Sequence, residues 1–269
     1  MDKARENLKS ARRIVIKVGT STLAHAESGK LNLYRIEQLI REIADLHNAG
    51  KEIIFVTSGA IAAGLGKLGM KSKPQTIPEK QALAAIGQGV LMHIYEKFFA
   101  EYGQTIGQIL LTKENAADEQ ARENSRNSFQ AVLDMGAIPV VNENDAVAVD
   151  EIKIGDNDNL SAIVAAMTGA EVLVILSDID GLYDGNPKLD KSARLVDEVT
   201  EINSEIEHMA GGAGTKLAIG GMLTKIQAAK FATANGVTML IINGGIVGNL
   251  RRALNGENIG TIFIREGGK

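Results

Sequence analysis

The sequence predicts an α/β protein with a mainly parallel sheet sandwiched between helices. Three observations carry that expectation. Arg13–Val18 (RIVIKV), Glu52–Val56 (EIIFV) and Val172–Leu176 (VLVIL) are short runs rich in β-branched residues, the pattern of strands buried on both faces. Between such runs apolar residues recur at helical spacing, so strand and helix alternate along the chain. No Pro/Ser-rich linker interrupts the alternation, which makes residues 1–269 one domain, two-lobed with a division near residue 170.

Taken in order, Arg13–Val18 is the first strand, and Gly19-Thr20-Ser21 follows it directly. Tyr34–Asn48 carries Ile36, Leu39, Ile40, Ile43 and Leu46 on one helical face and ends at Ala49-Gly50. Glu52–Val56 is the second strand, followed by Thr57-Ser58-Gly59 and an Ala-rich helix to about Leu68. Pro74–Pro78 reads as a loop, and Lys80–Tyr102 as a helix broken or kinked at Gly87-Gln88-Gly89. Thr105–Leu111 is a strand, Ser125–Met135 a helix and Ala137–Val141 a strand. Ala146–Ile154 (AVAVDEIKI) alternates, which predicts an antiparallel hairpin projecting from the sheet. A helix over Asn159–Gly169 and a strand at Val172–Leu176 restore the rhythm, and Ser177–Lys191 is a Gly/Asp/Asn/Pro-rich loop. The remainder reads as strand Leu195–Val199, helix Ser204–Met209, Gly-rich loop Ala210–Gly221, helix Met222–Asn235, strand Met239–Ile242, helix Leu250–Asn255 and strand Thr261–Ile264.

Composition narrows the function classes. Hydrophobic residues make up 45% and charged residues 23%, as in an ordinary globular protein with a large core. A net charge of −4 without a basic run argues against nucleic-acid binding. No apolar stretch reaches the roughly 18 residues of a membrane span, and the charged start MDKARENLKSARR is no signal peptide. With no Cys at all, disulfides, thiol catalysis and thiolate metal sites are excluded, and a cytoplasmic location is expected. His25, His47, His93 and His208 form no H-x-x-x-H pair, so no protein-held metal is expected.

Two motifs mislead. Gly64–Gly69 (GLGKLG) matches G-x-G-x-x-G but does not follow its strand at once and lacks the later acidic partner, so it reads as a fraying helix end. Asp156–Asn159 lacks the Gly and Glu an EF-hand needs, since Ser161 and Met167 stand there. No P-loop sequence occurs.

Four strand-to-loop junctions remain. Lys17-Val18-Gly19-Thr20-Ser21 puts a Lys at a buried strand's tip, a point charge for phosphate, beside a Gly that admits a ligand to the backbone. Thr57-Ser58-Gly59-Ala60 opens a helix with small residues, a ready anion site. Val140–Ala162 crowds Asn142, Glu143, Asn144, Asp145, Asp156, Asn157, Asp158 and Asn159 between two apolar runs, more than one helix cap requires. Gly211–Lys216 and Gly220–Lys225 place glycines and two lysines beside a helix start, which suits a polyphosphate. Two cationic ends around a carboxylate and amide centre are what phosphoryl transfer needs, because positive charge must offset the transferring group.

On these residues the chain resembles the amino acid kinase family. The resemblance rests on IVIKVGTSTL (14–23), VTSGAIAAG (56–64), VVNENDAVAVDEIKIGDNDNLSA (140–162), LSDIDGLYDGNP (176–187) and GGMLTKIQAA (220–229), and so spans nearly the whole chain. NENDAV joined to GDNDNLSA places it with members that phosphorylate the γ-carboxylate of L-glutamate with ATP, the first step of proline synthesis. The resemblance implies that Lys17 and Lys225 stabilise the transferring phosphoryl group and that Asp158 orients them. It implies that Ser58, Asn142, Asp145 and Asn157 bind the amino acid in a lobe of residues 1–170. Lys17, Gly19, Ser177, Asp178, Ile219, Gly220, Gly221, Met222, Leu223, Thr224 and Lys225 would border ATP, chiefly in a lobe of residues 171–269. Mg²⁺ would arrive with ATP rather than on protein ligands. Other acceptors used in the family, namely acetylglutamate, aspartate, carbamate and UMP, stand as alternatives, as does a silent nucleotide or amino-acid sensor. A homo-oligomer (dimer or tetramer) and proline as a feedback inhibitor are implied too. Ile219 and Ala218 depart from the family's Thr and Gly, and the chain stops at Lys269 without the RNA-binding-like domain many members append, so no nucleic-acid partner is expected.

Overall fold

The computed structural model describes residues 3–25, 29–70, 74–112, 118–147, 157–187, 189–211 and 219–265. In chain order these form α1 (Lys3–Ser10), β1 (Arg13–Val18), α2 (Thr20–Leu23), α3 (Leu33–Asn48), β2 (Glu52–Val56), α4 (Ala60–Leu68), α5 (Ile77–Glu101), β3 (Ile106–Leu111) and α6 (Glu119–Asp134). There follow β4 (Ile138–Glu143), α7 (Asp158–Thr168), β5 (Val172–Ser177), β6 (Glu198–Val199), α8 (Ser204–Gly211), α9 (Ile219–Ala234), β7 (Thr238–Asn243), α10 (Asn249–Leu254) and β8 (Thr261–Phe263). The predicted class holds: the strands are mostly parallel and helices cover them. All but the first two residues of the hairpin expected at Ala146–Ile154, and most of the Gly-rich loop at Ala210–Gly221, lie outside the described residues.

Contacts divide the chain into two compact units, one of Met1–Lys17 with Asp158–Lys269 and one of Val18–Asn157. In the first, the strand order is β1-β5-β7-β8-β6. β5 and β7 pair in parallel along their whole length, Val172 opposite Thr238 through Ser177 opposite Asn243. β8 runs antiparallel to β7, with α10 between them in sequence. Val172–Leu176 and Met239–Ile242 are fully buried, as expected of strands covered on both faces. One group of helices, α7, α8 and α9, packs on this sheet, and α1 packs with α10 as another. Arg5 is buried and donates to the carbonyls of Asp197, Glu257, Ile259 and Gly260 at 2.9–3.3 Å. A buried guanidinium demands such a full set of acceptors, and here it ties α1 to the β8 end of the sheet.

In the second unit the order is β3-β4-β2, all parallel. α3 packs on β2, α5 packs on α3 and α4, and α6 lies against β4. Thr76 and Glu79 form a reciprocal capping box that starts α5 at Ile77, so Pro78 sits in the first helical turn and not in a loop. α5 then runs without a break through Gly87 to Glu101. The glycines there serve packing: a Cβ on Gly87 would lie 1.7 Å from the Ala60 carbonyl oxygen, and one on Gly64 2.2 Å from that of Leu83. Helices α4 and α5 therefore touch backbone to backbone. Gly87→Ala should cost about 1–3 kcal/mol by overpacking. Gly89→Ala, where nothing stands within 4 Å of the new methyl, should be neutral or stabilising by up to about 1 kcal/mol. Urea unfolding of the two variants checks the contrast.

Several boundaries shift for local reasons. α6 starts six residues before Ser125, because Asp118 caps it by accepting from the Ala121 N–H at 2.8 Å. The strand expected over Leu195–Val199 is reduced to Glu198–Val199, with Leu195 making only an isolated antiparallel bridge to Tyr183. α4 ends where GLGKLG suggested, with Gly69 at φ +65° closing it in the left-handed conformation. α1 and α2 were not foreseen.

Candidate active site

The first unit gathers three charged side chains from distant parts of the sequence. Lys17 is the last but one residue of β1, Asp158 opens α7, and Lys225 lies two turns into α9. Asp158 is completely buried. One carboxylate oxygen accepts from Lys17 Nζ at 2.5 Å and the other from Lys225 Nζ at 2.9 Å. Thr224 Oγ1 adds a contact to the second oxygen at 3.2 Å, and Lys225 also donates to the Gly221 carbonyl at 3.0 Å. Burial opposes the charge of Asp158, but the two ammonium groups outweigh it and hold its carboxyl below the usual carboxylate range. The N-terminus of α7 favours the same anion. Two cations on one carboxylate leave a net positive charge, and both ammonium groups are held in fixed directions. Ammonium groups held this way can offset the charge of an anion.

Other residues expected at a nucleotide lie at the carboxyl ends of strands or the start of α9. Ser177, buried at the end of β5, donates to Asp178 at 3.4 Å, and its carbonyl accepts from the Gly244 N–H at the end of β7. Ile219 through Lys225 form the opening turns of α9, which begins three residues earlier than the sequence suggested. Gly19 precedes α2 in extended backbone (φ −87°).

The second unit holds a polar network between β2, β4 and α5. Asn157 Nδ2 donates to the Thr57 carbonyl at 2.6 Å and to Asn142 Oδ1 at 2.7 Å. Asn142 Oδ1 also accepts from the Glu143 N–H at 2.9 Å, and Asn142 Nδ2 donates to Gln88 Oε1 at 2.8 Å. Thr57 Oγ1 pairs with the fully buried Tyr95 hydroxyl at 2.5 Å, whose titration burial pushes up. Ser58 follows Thr57, and Gly59 at φ +97° lets the chain turn into α4, a conformation L side chains rarely adopt. Both amide hydrogens of Asn157 are thus engaged within the protein, and Oδ1 is what its side chain has to offer a ligand. Asp145 stands in the turn after β4, half-buried, and burial raises its carboxyl above the ordinary range. A pocket of about 260 Å³ is lined by Gln88, Met92, Gln108, Glu143, Asn144 and Asp145 among others.

Gln88 and Tyr95 were absent from the sequence-derived site. A signal existed for Gln88: it is a polar residue in the stripe Ala84, Leu91 and Tyr95 that α5 buries. Among the described residues no three His, Asp or Glu side chains gather as a metal site, and no helix is long and apolar enough to cross a membrane.

The fold is a mainly parallel α/β sheet with two lysines on a buried aspartate, and residues 12–243 match the amino acid kinase family, a family of kinases. The chain belongs to that family. Its similarity is to glutamate 5-kinases: 58% identity over 264 residues to that of Clostridium acetobutylicum, covering 98% of each chain. The glutamate 5-kinase of Clostridium perfringens is 52% identical over 98% of this chain and 100% of its own. That of Carboxydothermus hydrogenoformans is 56% identical over 96% of this chain and 69% of its own. Among solved structures, an isopentenyl phosphate kinase (TM-score 0.64, 19% identity, covering 94% of this chain and 100% of that one) and the UMP kinase of Bacillus anthracis (0.63, 16%, 96% and 97%) share the fold.

Proposed function

We propose that this protein transfers the γ-phosphoryl group of ATP to the γ-carboxylate of L-glutamate, forming γ-glutamyl phosphate and ADP, the first step of proline biosynthesis. The observation that carries this reading is the 52–58% identity to glutamate 5-kinases over 96–98% of the chain. The chemistry of the two clusters fits it. A γ-carboxylate oxygen attacks the γ-phosphorus, a new P–O bond forms, and the bond to the β-phosphate oxygen breaks with ADP as leaving group. The attacking carboxylate is ionised at neutral pH, so no general base is required. Lys17 and Lys225 offset the charge of the transferring group while Asp158 holds both ammonium groups in place. Ser177, Asp178 and the opening turns of α9 border the nucleotide. Mg²⁺ would arrive with the ATP phosphates rather than on protein ligands, and would help neutralise their charge. On this reading the protein acts in the cytoplasm.

The amino acid is held by the second cluster. Asp145 takes the α-ammonium, with Asn157 Oδ1 as a further acceptor, and Ser58 and Asn142 complete the surroundings. Asp145→Ala removes a charge-assisted hydrogen bond of about 1.5–3 kcal/mol. The glutamate KM should rise by about tenfold or more while the ATP KM stays put, as steady-state kinetics would reveal. Proline shares the α-amino acid head group and competes at this pocket on the same reading, and the chain assembles as a dimer or tetramer. The deciding test is ATP consumption with hydroxylamine trapping of the acyl phosphate. Glutamate should support it, whereas acetylglutamate, aspartate, carbamate and UMP should not. No glutamate-dependent ATP consumption would leave the silent sensor, and faster turnover with another acceptor would move the assignment within the family.

A further inference from the structure

Gln88 lies on α5 between Gly87 and Gly89 and lines the pocket beside Glu143 and Asp145. Its hydrogen bonding is one-sided, and the reason can be followed atom by atom. The Glu143 N–H can only donate, so it defines Oδ1 of Asn142 as the acceptor. Asn157 Nδ2 reinforces that orientation from the other side. Asn142 Nδ2 is thereby turned to Gln88 and donates to Oε1. The orientation of the Gln88 amide follows, with Oε1 engaged and Nε2 on the opposite branch. Of the buried side-chain polar atoms among the described residues, Gln88 Nε2 and Thr22 Oγ1 have no hydrogen-bond partner. A buried donor without an acceptor is costly to the folded chain, and an ionised oxygen offsets that cost most fully.

An acceptor amino acid presents an ammonium and a carboxylate on one carbon. Glu143 and Asp145 supply the pocket with anionic groups for the first. The second needs a donor, and Asn157 has no amide hydrogen left to give. We propose that Gln88 is a binding residue of this pocket, its Nε2 donating to the α-carboxylate of the amino-acid substrate. The assignment rests on the reading of glutamate as acceptor. It makes the pocket selective for a zwitterionic head group: a substrate without the α-carboxylate leaves Nε2 unpaired, and one with an acylated nitrogen leaves the carboxylates uncompensated. Sites built to hydrogen-bond a group reject analogues lacking it for this reason.

Two variants test the assignment. Gln88→Glu keeps an oxygen for Asn142 and puts an anion where the donor was, and Gln88→Met removes the polar end at similar length. At pH 8 the glutamate KM should rise by at least about tenfold in both, more in Gln88→Glu, with the ATP KM close to wild type. The melting temperature should stay close to wild type in Gln88→Glu and fall in Gln88→Met, which deprives Asn142 Nδ2 of its acceptor. An unchanged glutamate KM overturns the assignment. So does a parallel rise in the ATP KM, which marks a packing role. If one variant fails to fold, the other decides. Wild-type protein that consumes no ATP with glutamate overturns the functional reading instead, and that result is independent of either variant.

Discussion

Lys225→Ala should lower turnover by about 10²–10³-fold, the cost of losing one preorganised charge from a transition state, while glutamate affinity changes little. The expectation follows from where Lys225 stands. Its ammonium is held by Asp158 at 2.9 Å and by the Gly221 carbonyl at 3.0 Å, so it has a defined direction before any nucleotide binds. A charge that is already placed needs no reorganisation as negative charge shifts during transfer. Lys17→Ala should behave alike, because Lys17 meets the other oxygen of the same carboxylate. Either substitution leaves Asp158 one cation, so the fold should survive and the loss should fall on kcat. Wild-type-like turnover in either variant would sink the two-lysine mechanism.

Asp158→Asn should lower stability by about 3–5 kcal/mol at pH 7, the cost of breaking a buried ion pair from one side. Two ammonium groups would face an amide that can accept from them but carries no charge, and turnover should fall with the misplaced lysines. The pH dependence gives the effect a sign. The folded carboxyl is held below its ordinary range, so its stabilisation is fully present above the unfolded value of about 4 and is lost as pH falls through the depressed folded value. The gap between wild type and variant should therefore be widest near neutrality and narrow in acid. Urea unfolding at a series of pH values measures it. A gap that does not change with pH would show that the charge of Asp158 is not what stabilises the cluster.

Much of the fold was legible because its signals are local. RIVIKV, EIIFV and VLVIL are strands wherever they are placed, and Ile36, Ile40 and Ile43 mark the face that α3 buries. The errors came where a local signal had a distant cause. Gly87 looked like a helix breaker, yet it is small because the Ala60 carbonyl lies against it. Pro78 looked like loop until Thr76 and Glu79 closed a cap around it. Leu195 to Val199 has strand-like residues, but only Glu198 and Val199 find a partner in β8.

The site divides along the same line. From sequence alone came the candidates: Lys17 at a strand tip, Lys225 at a helix start, and the Asn/Asp-rich stretch from Asn142 to Asn159. Residue types and their positions at strand ends carry that information, since only certain side chains can meet a phosphate or a zwitterion there. The tertiary structure alone decided which atoms are spent and which remain. It put both lysines on the two oxygens of Asp158, turned the amide of Asn157 inward, and left Gln88 Nε2 without an acceptor. Hydrogen-bond capacity is shared among residues tens of positions apart, so no window of sequence can assign it.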